Sequence, residues 1–357
     1  MKKLVAVAVS GGVDSSTAAF LLKKAGYEVI GLHMHLWHES GQNVSADPVQ
    51  NSEARTVDKA EQACHIMGIP FRVIDLGESF KSHVVNYFSE MYARGKTPNP
   101  CIICNKSIKF GLLLDAALAL GADFLAAGHY AKVDHFDAAY HLFKSVDISK
   151  DQSYVLYTLG QKELSRVILP LGNLLKREVR DIARDIGITN ATEAESQDIC
   201  FIDDKYQDFL RRSMPAKTNG EIINSQGKVL GQHSGISFYT IGQRHGLGVA
   251  AEQRLYVIRI EPESNRIVVG FEEELYSSRL IANEISWVVG GLSVKSIDVN
   301  VKIRYKSPEV AATLYPRFDS VEVEFHKPQR AVTPGQAVVF YKNNEVLGGG
   351  TIEKTKD

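Results

Sequence analysis

The chain has 357 residues, 44% of them hydrophobic and 23% charged, which is the composition of a globular protein with two or three domains. The formal net charge of −1 excludes a globally basic nucleic-acid protein but allows a local basic surface. Four cysteines are too few for a disulfide framework, and the lack of a membrane-length apolar run or a signal-peptide pattern predicts a cytoplasmic protein without a membrane partner.

The first predicted element is a buried strand over residues 4–9, Leu-Val-Ala-Val-Ala-Val. The run is apolar throughout and half β-branched, as in a strand that is buried on both faces. It leads into Ser10-Gly11-Gly12-Val13-Asp14-Ser15-Ser16 and then a helix over Thr17–Lys24, which Gly26 ends. A strand, a glycine turn and a helix N-terminus direct free N–H groups and the helix dipole at one point, which predicts a phosphate site.

The spacing of this turn is that of neither a Walker A loop nor a dinucleotide-binding fingerprint. The S-G-G-x-D-S pattern resembles instead the PP-loop of ATP pyrophosphatases, which cleave ATP between its α and β phosphates and pass AMP to an oxygen. An ordinary glycine turn in a doubly wound domain is the alternative interpretation. We expect the turn to bind ATP, because the whole hexapeptide matches at a strand–helix junction.

Strands and helices alternate through the first two hundred residues. The predicted strands after the first are residues 28–33, 71–76 and 123–127, and the predicted helices are residues 58–67, 79–93 and 105–120. This alternation predicts an α/β fold with a parallel sheet and helices on both faces. Gly11, Met34 and Gly128 fall at the carboxyl ends of strands, where ligands of such sheets bind, so we expect adenosine between them.

The character of the sequence changes at about residue 206, where turn signals multiply and short alternating runs follow. We predict an all-β half with a small central domain and a terminal β-barrel. Its predicted strands include residues 255–261, 266–269, 298–305, 321–325 and 337–341. The proposed division is an ATP-binding catalytic domain over 1–205, a β-rich linking domain over 206–273 and an RNA-binding barrel over 274–357.

Three of the four cysteines lie in stretches that suggest chemistry. Cys101 and Cys104 follow the stiff segment T-P-N-P, and we expect the next helix to begin at Cys104 or Asn105, which would lower the pKa of a thiol there. Cys200 follows 96 residues later, in a strand or loop that can reach the same edge of the sheet. A zinc site, a redox disulfide and buried thiols are alternatives, although zinc would need a fourth ligand. Cys64 has helical spacing among apolar residues and is expected in the core.

Several motifs occur in order from residue 4 to about residue 350: S-G-G-V-D-S-S, G-L-H-M, T-P-N-P-x-x-x-C-N-K-x-I-K-F, A-A-G-H-Y, K-D-Q-S-Y, S-Q-D-I-C-F and T-P-G-Q. Together they closely resemble the tRNA-specific 2-thiouridylase family. The resemblance implies an enzyme that uses ATP and Mg²⁺ to thiolate the wobble uridine of tRNA. A sulfur-relay protein or a cysteine desulfurase would supply the sulfur as a persulfide.

The resemblance also implies roles for individual residues in activating the base and transferring sulfur. Cys200 would carry the persulfide that attacks C2 of the adenylated uracil, and Cys104 would release the sulfur by forming a disulfide with Cys200. Asp14 would help to hold Mg²⁺, and Ser10 and Ser15 would bind pyrophosphate oxygens. The full set of implied ATP contacts is Ala8, Val9, Ser10, Gly11, Gly12, Val13, Asp14, Ser15, Met34 and Gly128.

The implied RNA-binding surface combines matched positions with basic stretches. The uridine must leave its stack to reach an enclosed site, so base flipping is expected. The matched RNA contacts are Asn99, Pro100, His129, Lys150, Asp151, Gln152, Arg304, Tyr305 and Gln336. Basic residues over 162–184, and the alternating Lys302, Arg304 and Lys306 on one face of a predicted strand, would form a phosphate track. Without the resemblance, a solvated surface is the simpler interpretation of both.

Cys101 departs from the family pattern, in which many members carry an Asp with a proposed acid–base role. That role is in doubt here, because a thiol would perform it less well. Cys101, Cys104 and Cys200 could instead hold a [4Fe–4S] cluster with one open iron, as an alternative route to the same product. A PP-loop ligase or amidotransferase acting on a small carbonyl compound, and a non-catalytic tRNA-binding protein, are further alternatives.

Overall fold

The computed structural model describes residues 2–38, 52–188, 199–202, 204–214, 218–291 and 294–356. The first domain is built on a sheet of five strands, which are β1 (Leu4–Ala8), β2 (Glu28–His35), β3 (Phe71–Asp75), β4 (Phe124–Ala126) and β7 (Val167–Ile168). Their order is β3-β2-β1-β4-β7, and every neighbouring pair is parallel. The predicted parallel sheet is confirmed, although the two-residue strand β7 escaped prediction.

Helices cover both faces of this sheet, as predicted. Successive residues of β1 point to opposite sides of the sheet, so each side has apolar residues to bury. Val5, Val7 and Val9 pack with one set of helices, and Ala6 packs with the other. Cys64 belongs to the first cluster and is buried, which confirms that it is a core residue.

The helices of the first domain and its continuation are as follows: α1 (Val13–Lys24), α2 (Ser52–Met67), α3 (Gly77–Phe80), α4 (Asn86–Ala93), α5 (Pro100–Ile103), α6 (Leu113–Ala119), α7 (Gln161–Leu164), α8 (Lys176–Asp185) and α9 (Tyr206–Ser213). Two π-helical segments make continuous helices, since Lys81–Val85 joins α3 to α4 and Cys104–Leu112 joins α5 to α6. Short 3-10 turns cover Ser153–Leu156, Ile236–Phe238 and Glu272–Leu275. Among the described residues, no helix has the length and apolarity needed to cross a bilayer.

The helix that carries the first two reactive cysteines starts earlier than predicted. It begins at Pro100, with Asn99 as the N-cap: the Cys101 N–H donates to Asn99 Oδ1 at 3.1 Å. Proline suits this first position because its missing N–H would have no helical partner. The expected start at Cys104 or Asn105 is therefore wrong, and Cys104 lies one turn inside the helix.

A β-hairpin that the sequence did not reveal links the first domain to the last. It consists of β5 (Ala131–Phe136) and β6 (Ala139–Lys144), and its turn residues Asp137 and Ala138 both have positive φ angles, 47° and 59°. Such a turn usually contains Gly or Asn, so this one gave no sequence signal. Strand β6 pairs with β17 (Glu345–Thr355) of the C-terminal domain.

The prediction of an all-β half from about residue 206 is wrong at its start, where α9 covers Tyr206–Ser213. From Gly220 onward the described residues form β-strands with two short 3-10 turns, as predicted. A four-stranded central sheet has the order β10-β11-β8-β9, formed by β8 (Gly220–Asn224), β9 (Val229–His233), β10 (Tyr256–Glu261) and β11 (Arg266–Gly270). The barrel strands are β12 (Tyr276–Trp287), β13 (Ile297–Lys302), β14 (Val310–Pro316), β15 (Val321–Arg330), β16 (Ala337–Lys342) and β17. Because β12 pairs with both β15 and β17, six strands close the barrel.

One predicted strand is too long. Strand β13 ends at Lys302, and Arg304 and Lys306 follow in a bend and a turn. The three side chains therefore do not alternate on one strand face.

Candidate active site

The nucleotide loop folds back on the start of α1. Gly11 has φ of +74°, and a Cβ there would lie 2.7 Å from Lys59 Cβ, so only glycine fits. The Ser10 N–H donates to Ser15 Oγ at 3.1 Å, and Ser16 Oγ donates to the Gly12 carbonyl at 3.0 Å. Helix α1 starts at Val13, four residues before the predicted start. The first N–H groups of α1, which lack partners within the helix, are therefore those of loop residues.

Residues at the ends of β2 and β4 flank this loop. Met34 is the penultimate residue of β2, and Gly128 follows β4 on the other side of β1. A Cβ at Gly128 would lie 2.8 Å from the carbonyl carbon of Asp14 and from the amide nitrogen of Ser15. The strand order therefore places the two residues predicted to contact adenosine on either side of the loop.

Asp14 is held by two groups that the sequence did not single out. Lys176 Nζ donates to both Asp14 carboxylate oxygens at 2.7 Å, and the Tyr130 hydroxyl donates to Oδ1 at 2.7 Å. Lys176 is only 8% exposed, so its predicted place in a surface phosphate track is wrong. Nothing in the local sequence distinguishes this lysine from its exposed neighbours on α8.

One cavity of about 900 Å³ joins the nucleotide loop to the cysteines. Asp14 and Lys176 lie on its wall together with Cys101, Cys104 and Cys200. Seven of the nine predicted RNA contacts also line it: Asn99, Pro100, His129, Lys150, Asp151, Gln152 and Tyr305. Residues that are 96 positions apart in the chain therefore share one compartment.

An aromatic cluster fixes the position of Cys200. The next residue, Phe201, is 1% exposed, and its ring centre lies 5.7 Å from that of Phe80, 5.5 Å from Phe88 and 5.6 Å from Phe209. These edge-to-face contacts anchor the turn on which Cys200 lies. The sequence predicted a strand or loop at Cys200, but the partners of Phe201 could not be identified from it.

The three thiols of the cavity are free, and their surroundings favour the protonated form. Cys101 and Cys200 are exposed to the cavity and Cys104 is half-buried. Protein atoms nevertheless displace enough water to raise the pKa of all three thiols, that of Cys200 to about 12. The positive charge of Lys109 opposes this rise in each case. The lowered pKa expected for a thiol at Cys104 is therefore wrong.

The described residues give no support to a cluster on these thiols. Among them, no group of three or more His, Cys, Asp or Glu side chains is arranged to hold a metal ion.

His129 is buried beside Lys109 and is neutral. Lys109 Nζ lies 3.4 Å from His129 Nε2, and since an ammonium group can only donate, Nε2 accepts. Burial, aided by the Lys109 charge, holds the pKa of His129 well below its usual range. His129 Nδ1 is buried with no hydrogen-bond partner among the described residues.

The loop over residues 145–153 supplies part of the cavity wall. Asp151 is 8% exposed, and its carboxylate accepts from the Ser145 N–H at 3.1 Å and from Ser153 Oγ at 2.8 Å. Burial raises the pKa of Asp151, although these hydrogen bonds oppose the rise. Gln152 Oε1 accepts from the Tyr130 N–H at 3.0 Å. Both side chains therefore hold the loop in place while lining the cavity.

The other two predicted RNA contacts lie outside the cavity wall and bind main-chain carbonyls. Arg304 Nη2 donates to the carbonyl of Arg330 at 3.0 Å and also to that of Ala331. Gln336 Nε2 donates to the carbonyls of Thr97 at 2.9 Å and Pro98 at 3.3 Å. Gln336 thus attaches the barrel to the segment that leads into α5.

Comparisons with known proteins cover the chain from end to end. Residues 3–204 match the family described as tRNA methyl transferase HUP domain, residues 207–271 the tRNA methyl transferase PRC-barrel domain, and residues 277–352 the aminomethyltransferase β-barrel domain. The chain is 44% identical to the tRNA-specific 2-thiouridylase MnmA of Pelotomaculum thermopropionicum, with 100% of this chain and 99% of that protein covered.

Two further relatives are similarly close. The protein of the same name from Carboxydothermus hydrogenoformans is 45% identical over 99% of this chain and 98% of its own length, and that from Moorella thermoacetica is 46% identical over 97% and 98%. Among solved structures, a 4-thiouridine synthetase–RNA complex with bound ATP is 18% identical, covers 56% of this chain and 44% of that chain, and has a TM-score of 0.35, which is too low to add to the argument.

Proposed function

The chain belongs to the tRNA-specific 2-thiouridylase family, and from that premise we propose that it replaces the C2 oxygen of the wobble uridine of tRNA with sulfur, using ATP. This makes it a tRNA-uridine 2-sulfurtransferase. The observation that carries the proposal is the cavity that Asp14 of the nucleotide loop shares with Cys104 and Cys200. A reaction that joins an activated oxygen to a sulfur nucleophile needs both groups in one compartment.

The first step activates the base. The C2 oxygen of uracil attacks the α phosphorus of ATP, the bond to the β phosphate breaks, and pyrophosphate leaves. The oxygen, otherwise a poor leaving group, then departs as AMP. Residues 8–15 would bind the phosphates through main-chain N–H groups at the start of α1, with Met34 and Gly128 beside the adenosine.

A magnesium ion fits this loop, because one carboxylate together with substrate phosphates is a usual ligand set for Mg²⁺. Asp14 would hold the ion, which would neutralise charge on the departing pyrophosphate. Lys176 donates to both oxygens of Asp14 and Tyr130 donates to Oδ1, which leaves a lone pair of Oδ2 for the ion.

The second step transfers sulfur. The terminal sulfur of a Cys200 persulfide attacks C2, AMP leaves, and the base is joined to Cys200 through two sulfur atoms. The Cys104 thiolate then attacks the Cys200 sulfur. The bond between the two sulfurs breaks, its electron pair stays with the sulfur on C2, and a Cys104–Cys200 disulfide forms. An external thiol reductant restores both cysteines, and a persulfide donor reloads Cys200.

The RNA would approach across the residues that rim the cavity. Asn99 and Pro100 lie beside the cysteines, and Lys150, Gln152 and Tyr305 lie on other walls. Their position supports contacts with a flipped uridine and its neighbouring phosphates. Arg304 and Gln336 would act indirectly, because their hydrogen bonds go to main-chain carbonyls.

The test is a defined reaction of the protein with ATP, Mg²⁺, unmodified tRNA and a persulfide donor, followed by mass spectrometry of the digested nucleosides. We expect 2-thiouridine, AMP and pyrophosphate in equal amounts, and no thiolation by Cys104→Ala or Cys200→Ala. Thiolation that survives both substitutions would refute the cysteine mechanism. Anaerobic reconstitution with iron and sulfide, followed by iron analysis, separates this route from the cluster route, which predicts bound iron.

A further inference from the structure

The helix that carries Cys104 changes register where it passes the cavity. From Cys104 to Leu112 it is a π-helix, whose hydrogen bonds join residues five positions apart. In an α-helix, a residue five positions further on points about 140° away from the first. The wider π turn brings the two residues back to the same side, so Cys104 and Lys109 share a face and both line the cavity.

Lys109 acts electrostatically on every thiol of the cavity. Among the described residues, the charged or ionisable groups that act on Cys101, Cys104 and Cys200 are Lys109 and the thiols themselves. Lys109 is the cation of that set. The remaining ionisable groups of the cavity wall come from other elements: Asp14, His129, Lys150, Asp151, Lys176, Lys302, Lys306 and Glu309.

The partner of Lys109 leaves its charge intact. Its ammonium group donates to the neutral ring of His129, whereas a carboxylate partner would cancel the positive charge. Of the carboxylates on the same cavity wall, that of Asp14 is bound to Lys176 and that of Asp151 is bound to serine groups. His129 therefore orients the ammonium group without neutralising it.

We propose that Lys109 is a positioning residue of sulfur transfer, whose ammonium group stabilises the anionic sulfur of Cys104 and of the Cys200 persulfide. The inference rests on the sulfur transfer proposed above, and nothing in that transfer requires this particular lysine. The sulfur must be anionic to attack, and the protein atoms around the thiols oppose the anion. Lys109 lies on the same face of the π-helix as Cys104, and its ammonium group supplies the missing stabilisation where the sulfur reacts.

The test measures thiolate formation in the free enzyme, without ATP or tRNA. Wild type and Lys109→Met are treated with iodoacetamide from pH 7 to pH 9.5, and the alkylation rates of Cys104 and Cys200 are read by peptide mass spectrometry. We expect Lys109→Met to slow both reactions about tenfold at each pH, which corresponds to a pKa rise of about one unit. Lys109→Arg keeps the charge and is expected to stay within about twofold of wild type.

Lys106→Met is the matched control, because Lys106 lies on the same π-helix, is exposed and does not line the cavity. Lys106→Met should leave both alkylation rates unchanged. If thermal melting shows that Lys109→Met does not fold, Lys109→Gln takes its place. Equal rates in wild type and the neutral Lys109 variants would overturn the proposal, as would equal slowing by Lys106→Met. Because no substrate is present, a slowed alkylation with no thiolation by wild type would refute the proposed function while leaving the effect of Lys109 on the thiolates in place.

Discussion

The nucleotide loop and the proposed sulfur site, which consists of Cys104 and Cys200, share one cavity but are built in opposite ways. The loop is contiguous, and its conformation comes from Gly11, from two serine hydroxyls and from the start of α1. The sulfur site combines the helix that carries Cys104 with a distant turn that carries Cys200. Phe201 anchors this turn. Phosphate binding needs only backbone N–H groups in a local turn, whereas sulfur transfer needs two side chains from separate elements.

The largest expected effect is the loss of thiolation in cysteine variants that still bind ATP normally. Cys200→Ala removes the proposed persulfide carrier, and Cys104→Ala removes the thiol proposed to release the product, so each should lower thiolation more than about 1000-fold. ATP affinity, measured by calorimetry, should stay within about twofold because the loop has no cysteine. Cys64→Ala is the control, since this core cysteine should be dispensable for thiolation. A large loss of ATP binding in Cys200→Ala would contradict the separation.

Phe201→Ala should lower both stability and thiolation, because Phe201 anchors the turn that carries Cys200. Removing a fully buried phenyl ring costs about 3–5 kcal/mol of unfolding free energy, and the turn bearing Cys200 loses its edge-to-face contacts. Urea denaturation measures the stability, and single-turnover thiolation should fall more than ATP affinity does. Phe318→Ala, which removes a fully exposed ring, should change stability by less than about 0.5 kcal/mol. Equal stability of the two variants would show that Phe201 is no anchor.

The pH dependence should also distinguish the regions. Burial raises the pKa of the Cys200 thiol to about 12, so the proton is held at pH 7 and lost progressively as pH rises. Below the pKa the thiolate fraction grows about tenfold per unit, and alkylation of Cys200 should rise about 100-fold from pH 7 to pH 9. ATP affinity should be nearly flat over the same range, because backbone N–H groups do not titrate. A plateau in alkylation below pH 8 would contradict the raised pKa.

Gly128→Ala should damage the nucleotide loop alone, by about tenfold in ATP affinity. The added methyl group would meet the backbone between Asp14 and Ser15 at 2.8 Å, and the loop would have to shift. Gly291→Ala is the matched control, because its Cβ meets only the Trp287 ring, at 3.9 Å. Calorimetry with ATP measures the effect, and the alkylation rates of the cysteines should not change. Wild-type ATP affinity in Gly128→Ala would show that the close approach is not needed.

The sequence predicted what depends on local pattern. The alternation of Val5, Ala6 and Val7 in a buried run indicated a parallel strand, and the glycines of the loop indicated a phosphate site. The alternating runs after residue 206 predicted a β half with a closed barrel. The motifs also predicted Cys104 and Cys200 as functional residues, and this assignment, their chemical roles and the domain limits remain predictions.

What the sequence did not provide depends on tertiary contacts or on irregular backbone. An α-helical wheel places Lys109 away from Cys104, and only the π register brings them together. Lys176 looked like one more surface cation until its ion pair with Asp14 was visible. Arg304 was expected on a strand that ends at Lys302. Each of these positions is set by partners that are distant in the chain.

The hairpin of β5 and β6 makes the C-terminal barrel depend on the first domain for a strand partner. Its pairing with β17 gives the barrel sheet a neighbouring strand contributed by the first domain. A barrel produced by itself would present that stretch of β17 as an unpaired edge, which invites strand-to-strand aggregation. The C-terminal barrel is therefore a poor candidate for a transplantable module, and hybrids between relatives should exchange the hairpin together with the barrel.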